Sequence, residues 1–346
     1  MQGSDARRPI AVSIAGLAVF AVIAMGWYQV STSARNALVV YCAHDLLYAE
    51  EVLRDFERET GIPVVIVPDT EATKSLGLVQ RLIREKDHPA CDVFWNNQLL
   101  GTVELAEQGV LEPYQGAGWK RMSQAFRDPN GLWTGFGGRL RVWIVNTDAM
   151  PATVQAIDER LTGDVSLMAI AEPMFGTTLS HFAVLWDEMG SLEMQAWYRD
   201  LRERGARVVP GNATVKDLVA AGVCDFGMTD TDDYFLAKAD GAPVAMVPLR
   251  APSGETICIP NSVAIIKGTQ KRSHAERLLD YLLSEQSELR LAASKASQIP
   301  LGPVNESQIP ADVRPLTKWA RESVSLTDLA TARRECLAWL TEEHAP

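Results

Sequence analysis

Apolar and polar positions along this chain fall into two rhythms once an apolar leader has passed. The leader follows Arg7 and Arg8, and its core, residues 10–28, is almost wholly apolar. Residues 37–42 then read Ala-Leu-Val-Val-Tyr-Cys, a run that predicts a buried strand. Leu46, Ala49, Leu53 and Phe56 recur on one helical face, and Gly61 is a natural helix stop. Residues 64–67 predict a second strand between Pro63 and Pro68. Leu76, Val79 and Ile83 mark a second amphipathic helix, 92–95 a third strand, and 100–108 a third helix closing at Gly109. Strand alternating with helix predicts an α/β fold built on a doubly wound parallel sheet.

From 112 to 138 the texture changes to Pro, Gly and aromatic residues, which predicts loops. Residues 140–146 read as a strand entering a second α/β region. There, helices are expected at 194–204, 215–221 and 232–239, and strands at 208–209, 224–228 and 244–247. Residues 257–266 form an extended run containing Pro260-Asn261, the expected return crossing. Ser273 with Glu276 has capping-box spacing, and 328–342 is amphipathic.

A length of 346 residues exceeds one comfortable core and favours two lobes. The net charge of -11, with no basic cluster, argues against nucleic acid as a partner. The leader fits a signal peptide or a short membrane anchor, with Trp27 and Tyr28 at the interfacial position. Either reading puts the body outside the cytoplasm, where disulfides are permitted. Cys42, Cys91, Cys224, Cys258 and Cys336 have no zinc or iron–sulfur spacing, and an odd number leaves at least one thiol unpaired. They read as buried small hydrophobes or as a framework with one disulfide.

Ligands in such sheets bind beyond the carboxyl ends of the strands, here residues 43–45, 69–74 and 96–98. No hydrolase elbow, zincin motif or P-loop is present, and no catalytic residue or resident cofactor is nominated. Cys42 and His44 are the nearest nucleophile–base neighbours, but on an extended chain they lie roughly 6–7 Å apart. Trp95, Trp133, Trp143 and Trp186 read as core, with ligand walls as the alternative.

Several segments together resemble a known family. They are Val39-Val40-Tyr41, residues 56–62 (Phe-Glu-Arg-Glu-Thr-Gly-Ile), 90–97 (Ala-Cys-Asp-Val-Phe-Trp-Asn-Asn), 138–142, 211–214 and 280–284. The chain from about residue 37 to 300 is similar to ABC-importer solute-binding proteins of the ferric-iron-binding type. The resemblance implies a two-lobed class II periplasmic-binding-protein fold. Lobe one would hold 37–139 and 261–299, lobe two 140–260 and 300–346, after a leader at 1–36. It also implies a metal held by His and Glu from lobe one and a Tyr pair from lobe two, beside an anion.

This sequence departs at each implied metal ligand. Asp45 takes the His position, with His44 one residue early. The Glu position falls at 73–75, near Glu71. The Tyr pair falls within Thr229-Asp230-Thr231-Asp232-Asp233, just before Tyr234. The anion side is kept, with Phe175-Gly176-Thr177-Thr178 as the small-residue loop and Asn212 as an anion contact.

Ferric ion is hard and wants anionic oxygens, which Asp45, Glu71, Asp230, Asp232 and Asp233 could supply. The same acids also fit helix capping. Lys74, Arg139, Thr177, Thr178 and Asn212 fit an anion instead, and Lys74 would repel a bare cation. His44, Thr73, Asn96, Asn97 and Thr229 complete the candidate lining. The expectation is a monomeric solute receptor for an ABC permease and ATPase, closing on ferric iron with an anion. The alternatives are a small phosphorylated or carboxylated solute, or a membrane-tethered sensory subunit. No nucleic-acid partner is expected, and the membrane is met only through residues 10–28.

Overall fold

A computed structural model describes residues 36–44, 46–69 and 76–345. The leader and its membrane or cleavage role lie outside these residues. Among those described, no helix is long and apolar enough to cross a membrane.

The first half alternates strand and helix as the periodicity predicts. Its elements are β1 (Leu38–Cys42), α1 (Leu46–Thr60), β2 (Val64–Pro68), α2 (Leu76–Arg84), β3 (Val93–Asn96) and α3 (Leu100–Glu107). β1 lies between β2 and β3, parallel to both. Leu38, Val40, Leu53, Phe56 and Trp95 are buried together, so one face of β1 and the apolar stripe of α1 make one core, while Tyr41 on the other face joins a second. Gly61 ends α1 at φ +70°, and its N–H donates to the Glu57 carbonyl at 2.9 Å.

The segment read as loops contains β4 (Leu111–Glu112) and α4 (Ala117–Arg121). β5 (Thr134–Asn146) then begins six residues before the predicted strand. It is buried throughout, so Gly135, Gly137 and Gly138, which suggested a loop, instead sit under close neighbours. The second half follows as α5 (Val154–Thr162), β6 (Met168–Ala171), α6 (Gly176–Met189), α7 (Ser191–Glu203), β7 (Arg207–Val209) and α8 (Asn212–Ala220). It continues with β8 (Phe226–Asp230), α9 (Thr231–Ala239) and β9 (Val244–Pro248). α5 and α6 have no counterpart in the sequence reading. α6 buries ten consecutive residues from Thr177 to Trp186, so it shows no amphipathic stripe to find.

β10 (Cys258–Ile266) returns to the first half. The strand order is β2-β1-β3-β10-β5-β8-β6-β7, with β4 also on β10 and β9 also on β5. β5 joins the halves. Its early residues pair antiparallel with β10 up to Leu140–Cys258, and residues from Arg141 onward pair with β8. The crossing therefore falls at Arg139–Arg141, next to an irregularity between Pro260 and Asn261.

α10 (Arg272–Leu282) and α11 (Glu285–Ala293) cover the first half. The capping box at Ser273 is not formed, because α10 starts one residue earlier. Thr269 accepts the Lys271 N–H at 3.0 Å and turns the chain in, while Glu276 pairs with Arg272 at 2.8 Å. α12 (Leu316–Arg321) packs on β5, and α13 (Ala330–Glu343) packs on α6 and reaches α3 through Arg333–Glu104. The tail thus touches both halves.

All five cysteines are buried, and Cys91, Cys224, Cys258 and Cys336 are free thiols. Burial pushes the Cys258 and Cys336 thiols up to about 12, so neither is a nucleophile at neutral pH. Cys42 Sγ lies 3.7 Å from the backbone carbonyl of His44. Trp95, Trp133, Trp143 and Trp186 are all buried in the cores.

Candidate functional site

The carboxyl ends of β6, β7 and β8 each feed a helix, and all three helices start on one polar cavity of about 220 Å3. α6 brings Gly176, Thr177 and Thr178, α8 brings Asn212 and Ala213, and α9 brings Asp232 and Asp233. Helix N-termini expose unpaired N–H groups and a positive dipole end, which favours an anion between them. Arg139 enters from the crossing strand, and Asn97 from the end of β3, so residues of both halves line the cavity.

A hydrogen-bond network fixes the floor. Asp230 Oδ1 accepts from Arg141 Nη1 at 2.7 Å, and Asp230 Oδ2 accepts from the Thr177 hydroxyl and from Asn212 Nδ2 at 3.0 Å. Asn212 Oδ1 accepts from Thr178 at 3.1 Å and from Arg141 Nη1 at 3.2 Å. Both oxygens of Asp230 are therefore occupied by donors, with the buried Arg141 as counter-charge. Asp230 is also one of three clustered carboxylates that could hold a metal ion. It is the post that holds α6, α8 and β5 together.

Arg139 is also buried, and Nη2 donates to Asn261 Oδ1 on β10 at 3.0 Å. Its Nε lies 3.7 Å from Asp232 Oδ2 and makes no hydrogen bond among the described residues. Asp233 accepts from the Thr229 hydroxyl at 2.7 Å. Its carboxyl is pushed up to about 8 by burial, then by the charges of Asp232 and Asp230, with the Thr229 bond opposing. Carboxylate oxygens of Asp230, Asp232 and Asp233 lie within 4.8 Å of one another.

The sequence candidates thus divide. Thr177, Thr178, Asn212, Arg139, Asp230, Asp232, Asp233 and Asn97 line the cavity. His44, Asn96 and Thr229 are not among its lining. His44 stacks on Trp95 and meets Gln298, Asn96 donates to Thr102, and Thr229 holds Asp233. Asp45, Glu71, Thr73 and Lys74 lie outside the described residues. Tyr234 packs against Phe235 in a core, so no phenolate faces the cavity among the described residues. Arg141 and Glu172 were missed. An arginine two residues from another in an apolar strand shares its face, and that signal was available for Arg141.

Gly176 opens α6 at φ +54°, and a Cβ there would meet no atom within 4 Å. Gly176→Ala is expected to cost about 1–2 kcal/mol through backbone strain alone. Thermal denaturation checks it, and Gly176→Ser should lose a similar amount.

Two α/β halves joined by exchanged strands, with a polar cavity lined from both, define a solute-binding fold. The family of bacterial extracellular solute-binding proteins matches residues 51–314, and the chain belongs to it. It is a solute-binding protein of the ABC-importer type. Iron uptake protein A1 of Synechocystis is 24% identical over 259 residues, 70% of this chain and 69% of that protein. Iron-bound HitA from Pseudomonas aeruginosa superposes with a TM-score of 0.77 at 18% identity, covering 89% of this chain and 99% of that one. AfuA from Actinobacillus pleuropneumoniae, solved with fructose-6-phosphate, gives 0.73 at 19% identity, covering 89% and 98%. At these identities the two structures establish the shared fold.

Proposed function

We propose that the chain delivers a small organic anion, phosphorylated or carboxylated, to an ABC permease and its ATPase. The convergence of three helix N-termini on one cavity, with buried Arg139 beside it, carries this reading. The anionic group would sit against the N–H groups of α6 and α8 and the Thr178 hydroxyl. Asp232 and Asp233 would accept hydrogen bonds from the hydroxyls of the solute. Contacts from Asn97 on the first half and Thr177 on the second make closure of the lobes depend on the solute. The protein would act as an extracytoplasmic monomer, held to the membrane, if at all, through residues 10–28.

Ferric iron with an anion is the second reading. The three neighbouring carboxylates and the iron-binding relatives favour it. It ranks second because Asp230 is spent on Arg141 and the implied phenolates have no counterpart at the cavity. A tethered sensory subunit would use the same cleft, and a neighbouring histidine-kinase gene in place of a permease would favour it.

Thermal shift and calorimetry with fructose-6-phosphate, inorganic phosphate, citrate and ferric citrate test the ligand. A solute at 100 times its Kd should add about 2.7 kcal/mol of stability. Asn212→Asp puts a carboxylate against the anion, and affinity for the organic phosphate should fall at least tenfold. Binding of ferric salts alone, unchanged in Asn212→Asp, would overturn the organic-anion reading.

A further inference from the structure

A second cavity of about 290 Å3 lies in the second half, away from the acidic cluster. Its walls include Trp143, Leu161, Leu185, Met189 and Trp197, so it is apolar and partly aromatic. One buried polar side chain joins them. His181, 1% exposed, makes no hydrogen bond through either ring nitrogen among the described residues. A polar atom left this way in an apolar site costs about 1–3 kcal/mol, and native structures rarely leave two on one ring. No role at the solute cavity uses this imidazole, which is absent from that lining.

We infer that this cavity is a second ligand site, taking a small neutral aromatic compound with a hydroxyl or N–H that bonds His181. Burial and the nearby Arg141 charge keep the imidazole neutral, so it offers one donor and one acceptor. Asp158 and Arg250, the charged residues of the lining, are solvent-exposed, so the buried apolar walls around His181 favour a neutral compound over a charged one. An apolar cavity of roughly 150 Å3 accepts benzene, so this one has room for a bicyclic ring. Trp143 and Trp197 offer ring faces and edges for aromatic packing. His181 lies in α6, three residues after Thr178, so the two sites are joined by one helix.

Indole and phenol titrated into the full chain, with histidine 15N-labelled, test the site, with toluene as the apolar control. Saturable binding that moves the His181 ring resonances is expected, and saturating inorganic phosphate should not displace the indole. His181→Phe should weaken indole about tenfold and leave toluene unchanged. If His181→Phe fails to fold, Leu161→Trp, at the half-buried wall, should abolish indole binding by filling the space. Absence of saturable binding up to the solubility of indole, or binding that leaves His181 unmoved, would overturn the assignment.

Discussion

Replacing Arg141 with methionine is expected to cost about 3–5 kcal/mol and to abolish binding of an anionic solute. Arg141 is fully buried, and its Nη1 serves both Asp230 and Asn212. Removing the guanidinium leaves the Asp230 carboxylate buried with two neutral donors and no counter-charge. That is the expensive half of a broken buried pair. The damage should spread to the cavity, since Thr177, Thr178 and Asn212 take their positions from this network. Adding Asp230→Asn to the methionine variant should recover part of the loss, because the unpaired charge is then gone. Urea denaturation of the four proteins of this cycle gives the coupling energy. Additive losses would mean that the pair does not act as a unit.

The second large effect is a fall in stability as pH rises. Asp233 holds its proton up to about pH 8 in the folded chain, whereas an unfolded aspartate releases it near pH 3.9. Below about pH 4 both states are protonated and the group contributes nothing. Between about 4 and 8 the folded state binds the extra proton, so stability drops by up to about 1.4 kcal/mol per pH unit. Above 8 both states are ionised and the penalty is complete. The summed effect is on the order of a few kcal/mol. Urea midpoints at constant ionic strength measure it, and Asp233→Asn should flatten the slope between pH 5 and 8. An unchanged slope would place the titration elsewhere. The same proton separates the two ligand readings. A cation that binds Asp233 displaces it, so its affinity rises with pH. An anion is repelled by the ionised form, so its affinity falls.

Much of the fold was legible because local pattern and burial agree in the first half. The apolar runs of β1 and β3 and the stripe of α1 meet in one core, as their periods imply. The second half was harder where burial is complete. α6 is buried over most of its length, so its helical period carries no polar contrast. β5 carries glycines at its start because β10 and the Gln298 and Leu301 side chains press on it, and glycine in sequence reads as loop.

The site divides the same way. Thr177, Thr178 and Asn212 were nominated through the resemblance to the family's anion side, and no local helix signal had marked α6. The acidic run was found too, but its three carboxylates looked equivalent. Which carboxylate is neutralised and which faces Arg139 depends on arginines 89 and 93 positions away.

By itself, the sequence determined the α/β class and the order of most strands and helices. Those follow from periodicity and turn chemistry, which act over a few residues. Only the tertiary structure decided that Asp230 is tied to Arg141, that Asp233 is held protonated, and that the Tyr234 ring is spent on the core. Charge and burial act through space, and β5 brings Arg141 to Asp230 across 89 residues of chain.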